Sequence, residues 1–340
     1  MTWTLVIRVR LHKIKDNLMK VLDPQKIRDE VLVHMPKGSV IPEHTDKAHF
    51  YRVMDPELGN PKYPSVTGKL QIVKDPSIAN FKMNRAVEYF FSHFDQMNQD
   101  NLMEHLDNAR SEGDAIFRDA GDVGTDIHDI RELYMNEWIE TGKKPDDILS
   151  FIPEVKEDTR IISALRGLEK FINDFHYTPI FCELLVYSHK MKVAGTLDDL
   201  GIMRWPVGRG KTLKSWYGKQ WDEATVTYNK EKNVGIELST GEKFRYVLVL
   251  SDLKTSNQFK PHYFFQVSMY YDFLKEITGI RCDKAIIVKA DKNKQTYQIE
   301  DLKQPAKLAQ YSKSVFRVDH ALDFISDLRK DNQTKVVPLK

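Results

Sequence analysis

The chain has 340 residues, with 51 lysines and arginines against 49 aspartates and glutamates, a formal net charge of +2 and 41% hydrophobic residues. That length allows one large domain or two small ones with a sizeable core, while so small a net charge excludes any global argument for nucleic-acid binding and leaves only local ones. No apolar run approaches bilayer-spanning length, and two cysteines, Cys182 and Cys282, exclude a disulfide framework and point to a reducing, intracellular compartment.

Residues Thr2 to His12 alternate, with Trp3, Leu5, Ile7, Val9 and Leu11 on one side and Thr4, Arg8, Arg10 and His12 on the other, which reads as an edge strand. The alternative is a mitochondrial presequence, also basic and amphipathic, although such segments are usually serine-rich and helical. From Met35 to Pro64 the prolines Pro36, Pro42, Pro56, Pro61 and Pro64 with interspersed glycines predict a loop-rich approach segment. After Pro76 the period becomes helical, with Ala79, Met83, Ala86, Val87, Phe90, Phe91 and Phe94 at three- and four-residue steps. The predicted helices are Ser77 to Met97, Asn101 to Gly121, Thr125 to Glu140 and Glu157 to Phe175, the last with Ile161, Leu165, Leu168 and Ile172 on one stripe and Asp158 and Thr159 suited to its start.

Beyond Pro179 the pattern turns to strands: Ile180 to His189, Lys192 to Leu200, Phe244 to Leu250, Lys284 to Ala290 and a weaker Tyr297 to Ile299. The helix Pro261 to Ile277 sits between the last two strong ones. Helices followed by a meander and a strand-helix-strand unit predict an α/β protein, a mixed central sheet flanked by helices. We expect an N-terminal strand and loop-rich extension over residues 1–75, then one domain over 76–340. That domain divides into a helical part (76–178), the sheet with its helix (179–300) and a C-terminal helical tail (301–340).

The stretch Val247 to Ser256 carries the first chemical signal. Its first half is a β-branched and leucine run, and its second half places Asp252 and Lys254 two residues apart, on one face of the same strand end. A carboxylate and an ammonium beside apolar residues are unfavourable there unless a metal, a phosphate or a partner charge meets them. Asp198 has the same character at the end of Ala194-Gly195-Thr196-Leu197-Asp198, after the strand-like run Cys182 to Tyr187 that contains Glu183. Two carboxylates and a lysine on neighbouring strands suit a hard divalent cation, magnesium or manganese, and hence phosphodiester chemistry. A solvated Asp-x-Lys pair at a surface strand end is the plainer alternative.

Between the two aspartates lies an insertion, Gly201 to Arg245, whose stretch from Arg204 to Lys219 has no acidic residue and interleaves Arg204, Arg209, Lys211 and Lys214 with Trp216 and Tyr217. Basic groups tracking phosphates and aromatic faces stacking bases suit single-stranded nucleic acid. A hairpin that packs its tryptophans on the sheet is the alternative. Gly210-Lys211-Thr212 is not the end of a phosphate-binding P-loop, because Trp205 stands where the first glycine is required.

Taken together, these motifs give the chain a resemblance to the RecB-like branch of the PD-(D/E)XK nuclease superfamily. Gly195-Thr196-Leu197-Asp198 is similar to its Gly-x-x-Asp motif, Asp252-Leu253-Lys254-Thr255-Ser256 to its Asp-x-Lys-Thr-Ser motif, and Gln266-Val267-Ser268-Met269-Tyr270 to its Gln-x-x-x-Tyr helix. Gly124-Thr125-Asp126-Ile127-His128, with Glu132 one turn on, looks like its Gly-Thr-x-x-His motif. Tyr63-Pro64-Ser65-Val66-Thr67 resembles a segment of mitochondrial genome-maintenance and phage-type exonucleases. The sequence departs from the pattern at Ser251-Asp252-Leu253, where relatives often have Asp-Trp.

The resemblance implies a restriction-endonuclease-like core and a metal-dependent DNA exonuclease acting on single-stranded or free ends in replication, repair or recombination. An endonuclease of the same branch and a catalytically weak DNA-binding module are the alternatives. It further implies one or two magnesium or manganese ions held by His128, Asp198, Asp252 and the Leu253 carbonyl, with Glu183 assisting and Lys254 beside the attacking water. Glu132 would orient His128, while Gln266, Tyr270, Thr255 and Ser256 would form the outer shell. The implied partner is DNA, with no membrane, and the implied state is a monomer in the cytoplasm of a bacterial or phage-infected cell, with mitochondria as the alternative. An iron-sulfur cluster of the four-cysteine kind is excluded by ligand count.

Overall fold

The computed structural model describes residues 22–317 apart from residues 37, 46–47, 72–75, 155–157 and 315, so the alternating stretch Thr2 to His12 and the tail past residue 317 lie outside the described residues. Asp23 opens helix α1 (Pro24–His34) by accepting from the backbone N–H groups of Gln25 and Lys26. The segment expected to be loop-rich then forms an antiparallel meander of β1 (Val40–Thr45), β2 (Ala48–Val53) and β3 (Lys62–Pro64). The prolines are tolerated because β1 is an edge strand and Pro64 is the last residue of β3, positions where a missing N–H does little harm. Ser65 next caps the short helix α2 (Val66–Leu70) by accepting from Gly68 N–H at 2.9 Å.

Helix α3 (Pro76–His93) leads to α4 (Leu102–Thr141), a single helix of 40 residues in place of the two that the sequence pattern predicts. Gly121 and Gly124 fail to break it; a glycine inside a helix is unfavourable by only about 1 kcal/mol, which packing of the Val123, Ile127 and Ile130 stripe outweighs. Gly124 also has a spatial reason, since a Cβ there would come within 3.2 Å of Thr255 Oγ1. Helix α5 (Thr159–Phe175) starts at the Asp158 cap, as its sequence predicts, and ends at His176 in the left-handed region.

The main sheet has seven strands: β4 (Thr178–Ser188), β5 (Val193–Val207), β6 (Val226–Asn229), β7 (Val234–Glu237), β8 (Glu242–Lys254), β9 (Lys284–Ala290) and β10 (Tyr297–Asp301). Its main path is β10-β9-β8-β5-β4, with β7 also on β8 and β6 on β7. Pairing is antiparallel except for β8 and β9, which are parallel because helix α6 (Pro261–Thr278) carries the chain back between them.

Both faces of β8 are covered, which explains its unbroken apolar run. Val247, Val249 and Leu253 pack with Ile127, Tyr134, Leu165 and Phe171 from α4 and α5. Leu248 and Leu250 pack with Val31, Val66, Val267 and Phe273 from α1, α2 and α6. The protein is thus a mixed α/β fold, and no helix among the described residues is long and apolar enough to cross a membrane.

Candidate metal centre

The paired stretch of β5 and β8 reaches Asp199 and Ser251. One step further, Asp198 stands across from Asp252. On the other side of β5, Glu183 lies across from Asp198, between the pairs Cys182 with Asp199 and Leu184 with Leu197. Glu183, Asp198 and Asp252 therefore form one row across three adjacent strands, which lie about 4.8 Å apart.

Regular alternation breaks on this row. In β5, Val193 and Leu197 belong to the core on the α6 side, and so do Leu200 and Ile202, whereas Met203 and Trp205 belong to the core on the α4 side. The odd-numbered residues thus change face around Asp198 and Asp199, and both carboxylates reach one side chain of α4. In β4 the break falls on Glu183, whose φ of 52° lies in the left-handed region. A non-glycine residue held there is unfavourable by about 1–3 kcal/mol, and such positions cluster at functional sites.

Helix α4 crosses the row and supplies His128 and Arg131. His128 Nδ1 is 3.8 Å from Asp198 Oδ2, and the Leu253 backbone carbonyl accepts a hydrogen bond from the ring. Glu132, expected to orient this ring, lines the same cavity one turn on. Arg131 is fully buried, with Nη1 at 3.0 Å from Asp199 Oδ2 and 3.5 Å from Asp198 Oδ2, and Nη2 donating to Glu183 Oε1. Leu253 N–H donates to Asp198 Oδ2 at 2.8 Å. Lys254 Nζ lies 2.7 Å from Asp252 Oδ2 and above the Tyr263 ring.

Burial holds the His128 ring down at about 4 against the pull of Asp198, which leaves a neutral imidazole with a lone pair to donate at neutral pH. Burial pushes Asp252 up to about 7 despite Lys254, Glu183 up to about 8 despite Arg131, and Asp199 up to about 6. For Asp198 burial acts upward too, but Lys254, Arg131 and His128 outweigh it and hold the carboxyl below its usual range. Lys254 stays charged because Asp252 and Asp198 overcome its desolvation.

The donor set fits a divalent cation. Ligand atoms of His128, Glu183 and Asp198 lie within 4.8 Å of one another, and Asp252 Oδ1 is buried without a hydrogen-bond partner. The carboxylate oxygens suit magnesium or manganese, while the imidazole equally admits zinc or iron. Asp252, expected among the ligands, stands in the row but outside that three-residue grouping, which instead includes Glu183. The three face a cavity of about 250 Å³ whose wall includes Tyr51, Thr67, Thr196, Gln266 and Tyr270. Gln266 Nε2 donates to Tyr270 Oη at 3.2 Å, and a Cβ on Gly195 would sit 2.8 Å from the Tyr270 ring, so this glycine is what lets the tyrosine approach β5. Ser256 turns away and donates to the Gln258 carbonyl, closing its own turn.

Arg131, Asp199 and Tyr51 went unseen in the sequence, and Thr67 stood there only as the last residue of the Tyr63-to-Thr67 motif, with no role given. Arg131 occupies the apolar stripe of α4 between Ile127 and Tyr134, and Asp199 puts a second carboxylate where alternation calls for one; those two irregularities were the available signals. Tyr51 arrives from the N-terminal meander, where its hydroxyl lies 3.2 Å from Thr196 Oγ1, and no local pattern foretells it.

The insertion is not part of this assembly. Arg204 is buried, gripped by both Glu223 oxygens at 2.7 Å and flanked by Trp221 and Phe244, and Trp216 is 1% exposed against Phe175 and Trp221. Tyr217 Oη accepts from Ile299 N–H. Arg204, Trp216 and Tyr217 therefore pack the scaffold, which corrects the expectation that they meet a nucleic-acid strand. Arg209, Lys211 and Lys214 are exposed, but they follow the far end of β5, nine residues or about 30 Å along the strand from Asp198.

No protein-family model matches the chain, and no curated protein sequence matches it either.

Proposed function

We propose that the chain is a metal-dependent deoxyribonuclease with a PD-(D/E)XK core of the RecB-like kind, hydrolysing phosphodiester bonds from single-stranded DNA ends. The observation that carries this reading is the carboxylate row Glu183, Asp198 and Asp252 on three adjacent strands, completed by His128 from α4 and by Lys254 two residues past Asp252. His128, Glu183 and Asp198 would hold a magnesium or manganese ion, which when bound supplies Lewis-acid polarisation of the phosphodiester and lowers the pKa of a bound water. Asp252 keeps the Lys254 ammonium in place, and that charge is available to offset negative charge developing on the scissile phosphate. Tyr51, Gln266 and Tyr270 wall the cavity and restrict access to it.

A module that binds DNA without cutting it is favoured by one observation, that Arg131 already neutralises Glu183 and Asp199. Incubation with end-labelled single- and double-stranded oligonucleotides in magnesium, manganese or chelator separates the two. Cation-dependent release of short products from single-stranded ends is expected; internal cuts point to an endonuclease, and binding without cleavage under every cation refutes the nuclease reading.

A further inference from the structure

Arg131 is a fixed cation inside a cluster that, on the reading above, is a metal centre. Its guanidinium is fully buried and touches three carboxylates, Glu183, Asp198 and Asp199. Lys254 stands on the other flank, paired with Asp252 and lowering the proton affinity of Asp198. Asp198, central in the row, is thus enclosed by two resident cations. Asp129 and Glu132 line the same cavity, so with its two resident cations the cluster stays net acidic and able to take up a divalent cation.

Two-metal phosphodiester sites place their ions about 3.5–4 Å apart and share a carboxylate between them. Asp198 is the carboxylate placed to be shared, and Arg131 Nη1 lies 3.5 Å from its Oδ2, on the side facing Asp199. We propose that Arg131 holds the position of a second cation, so that the centre takes up one divalent ion per chain. The guanidinium is suited to that position because it is always charged, it forks between carboxylates, and Glu183 and Asp199 hold its two ends. Arg131 is then a charge-balancing and positioning residue that keeps Glu183 and Asp198 at ligand spacing.

The test counts manganese by the electron paramagnetic resonance signal of the free ion, which needs no nuclease activity. Wild-type protein is expected to bind one Mn²⁺ per chain, Arg131→Lys one, and the neutral Arg131→Met and Arg131→Gln two, with circular dichroism establishing that each variant is folded. Two ions in the wild type, or one in a folded neutral variant, overturns the assignment and leaves the metal centre standing. No bound Mn²⁺ in the wild type sinks the metal centre itself and this inference with it. Should neither neutral variant fold, the wild-type count decides alone.

Discussion

The insertion between β5 and β8 and the row across β4, β5 and β8 both bury charge beside aromatic and aliphatic side chains, yet they are opposite in kind. In the insertion, Arg204 has both oxygens of Glu223, and Lys219 pairs with Glu237 and Glu242. Glu237 in turn accepts from Asp222 N–H and Thr240. Charge there is closed by its neighbours and helps to seat Trp216 and Trp221 in the core. On the row, Asp252 Oδ1 and Asp199 Oδ1 are buried without hydrogen-bond partners, Glu183 sits in strained backbone, and burial pushes three carboxyls upward. Buried polar atoms are nearly always satisfied, so the unpartnered carboxylate oxygens that are not in an ion pair, rather than the number of charges, separate the row from the insertion.

The sharpest way to break this contrast is to change one member of each region. Asp252→Asn removes a charge from the row with little change of shape, and cleavage is expected to fall about 10–100-fold while DNA affinity stays near normal, the usual cost of losing a residue that supports a metal centre. Initial rates within about tenfold of wild type would remove Asp252 from the chemistry. Trp216→Ala should do the reverse: about 3–5 kcal/mol of stability lost and a melting temperature lower by several degrees, with single-strand affinity of the folded fraction unchanged. Weakened binding at unaltered melting temperature would return the tryptophan to a nucleic-acid surface.

Gly195→Ala tests how the Gly-x-x-Asp segment works. Its new methyl meets Tyr270 at 2.8 Å in packed surroundings, and overpacking of this kind destabilises by about 1–3 kcal/mol. We expect a lower denaturation midpoint, which the double variant Gly195→Ala/Tyr270→Leu partly restores. A fully stable Gly195→Ala protein would mean that the Gly195 contact is not tight.

A smaller effect follows from the raised carboxyls of the metal-free protein. Burial raises Asp252 to about 7 and Glu183 to about 8, so the folded state keeps protons that the unfolded chain has released, and stability falls as pH rises through that interval. His128 and His176, held by burial at about 4, act in the opposite sense, but only below about 6.5, the ordinary histidine value. Between about pH 6.5 and 8 the metal-free melting temperature should therefore decline, and excess Mn²⁺ should flatten or reverse the decline by taking the place of the protons. An identical, flat profile with and without the ion would contradict the picture of uncompensated carboxylates.

The mildest changes belong to the exposed loop. Arg209→Ala and Lys214→Ala should alter stability by less than about 0.5 kcal/mol and leave cleavage of short oligonucleotides unchanged. On long single strands each should shallow the slope of log affinity against log salt by about 0.7. Unchanged slopes would assign the loop to solvent.

What the sequence determined by itself is local. Two-residue alternation and three- to four-residue stripes were enough to read a mixed α/β protein, to bound β9 at Lys284–Ala290, and to put Asp198, Asp252 and Lys254 on neighbouring strands, although β5 runs on past Asp198 to Val207. Only the tertiary structure decided that α4 runs unbroken through Gly121 and Gly124, that the insertion turns its tryptophans inward, and that a meander from a proline-rich segment brings Tyr51 to the cavity wall. It also decided the part of the site that matters most for charge. Arg131 finds its partners 52 and 68 residues away, on strands whose alternation breaks where it reaches them. A periodic pattern reports which face a side chain takes, and it is blind to bulges and to long-range pairing, because those are set by register and by the energy of a buried charge finding its counter-charge.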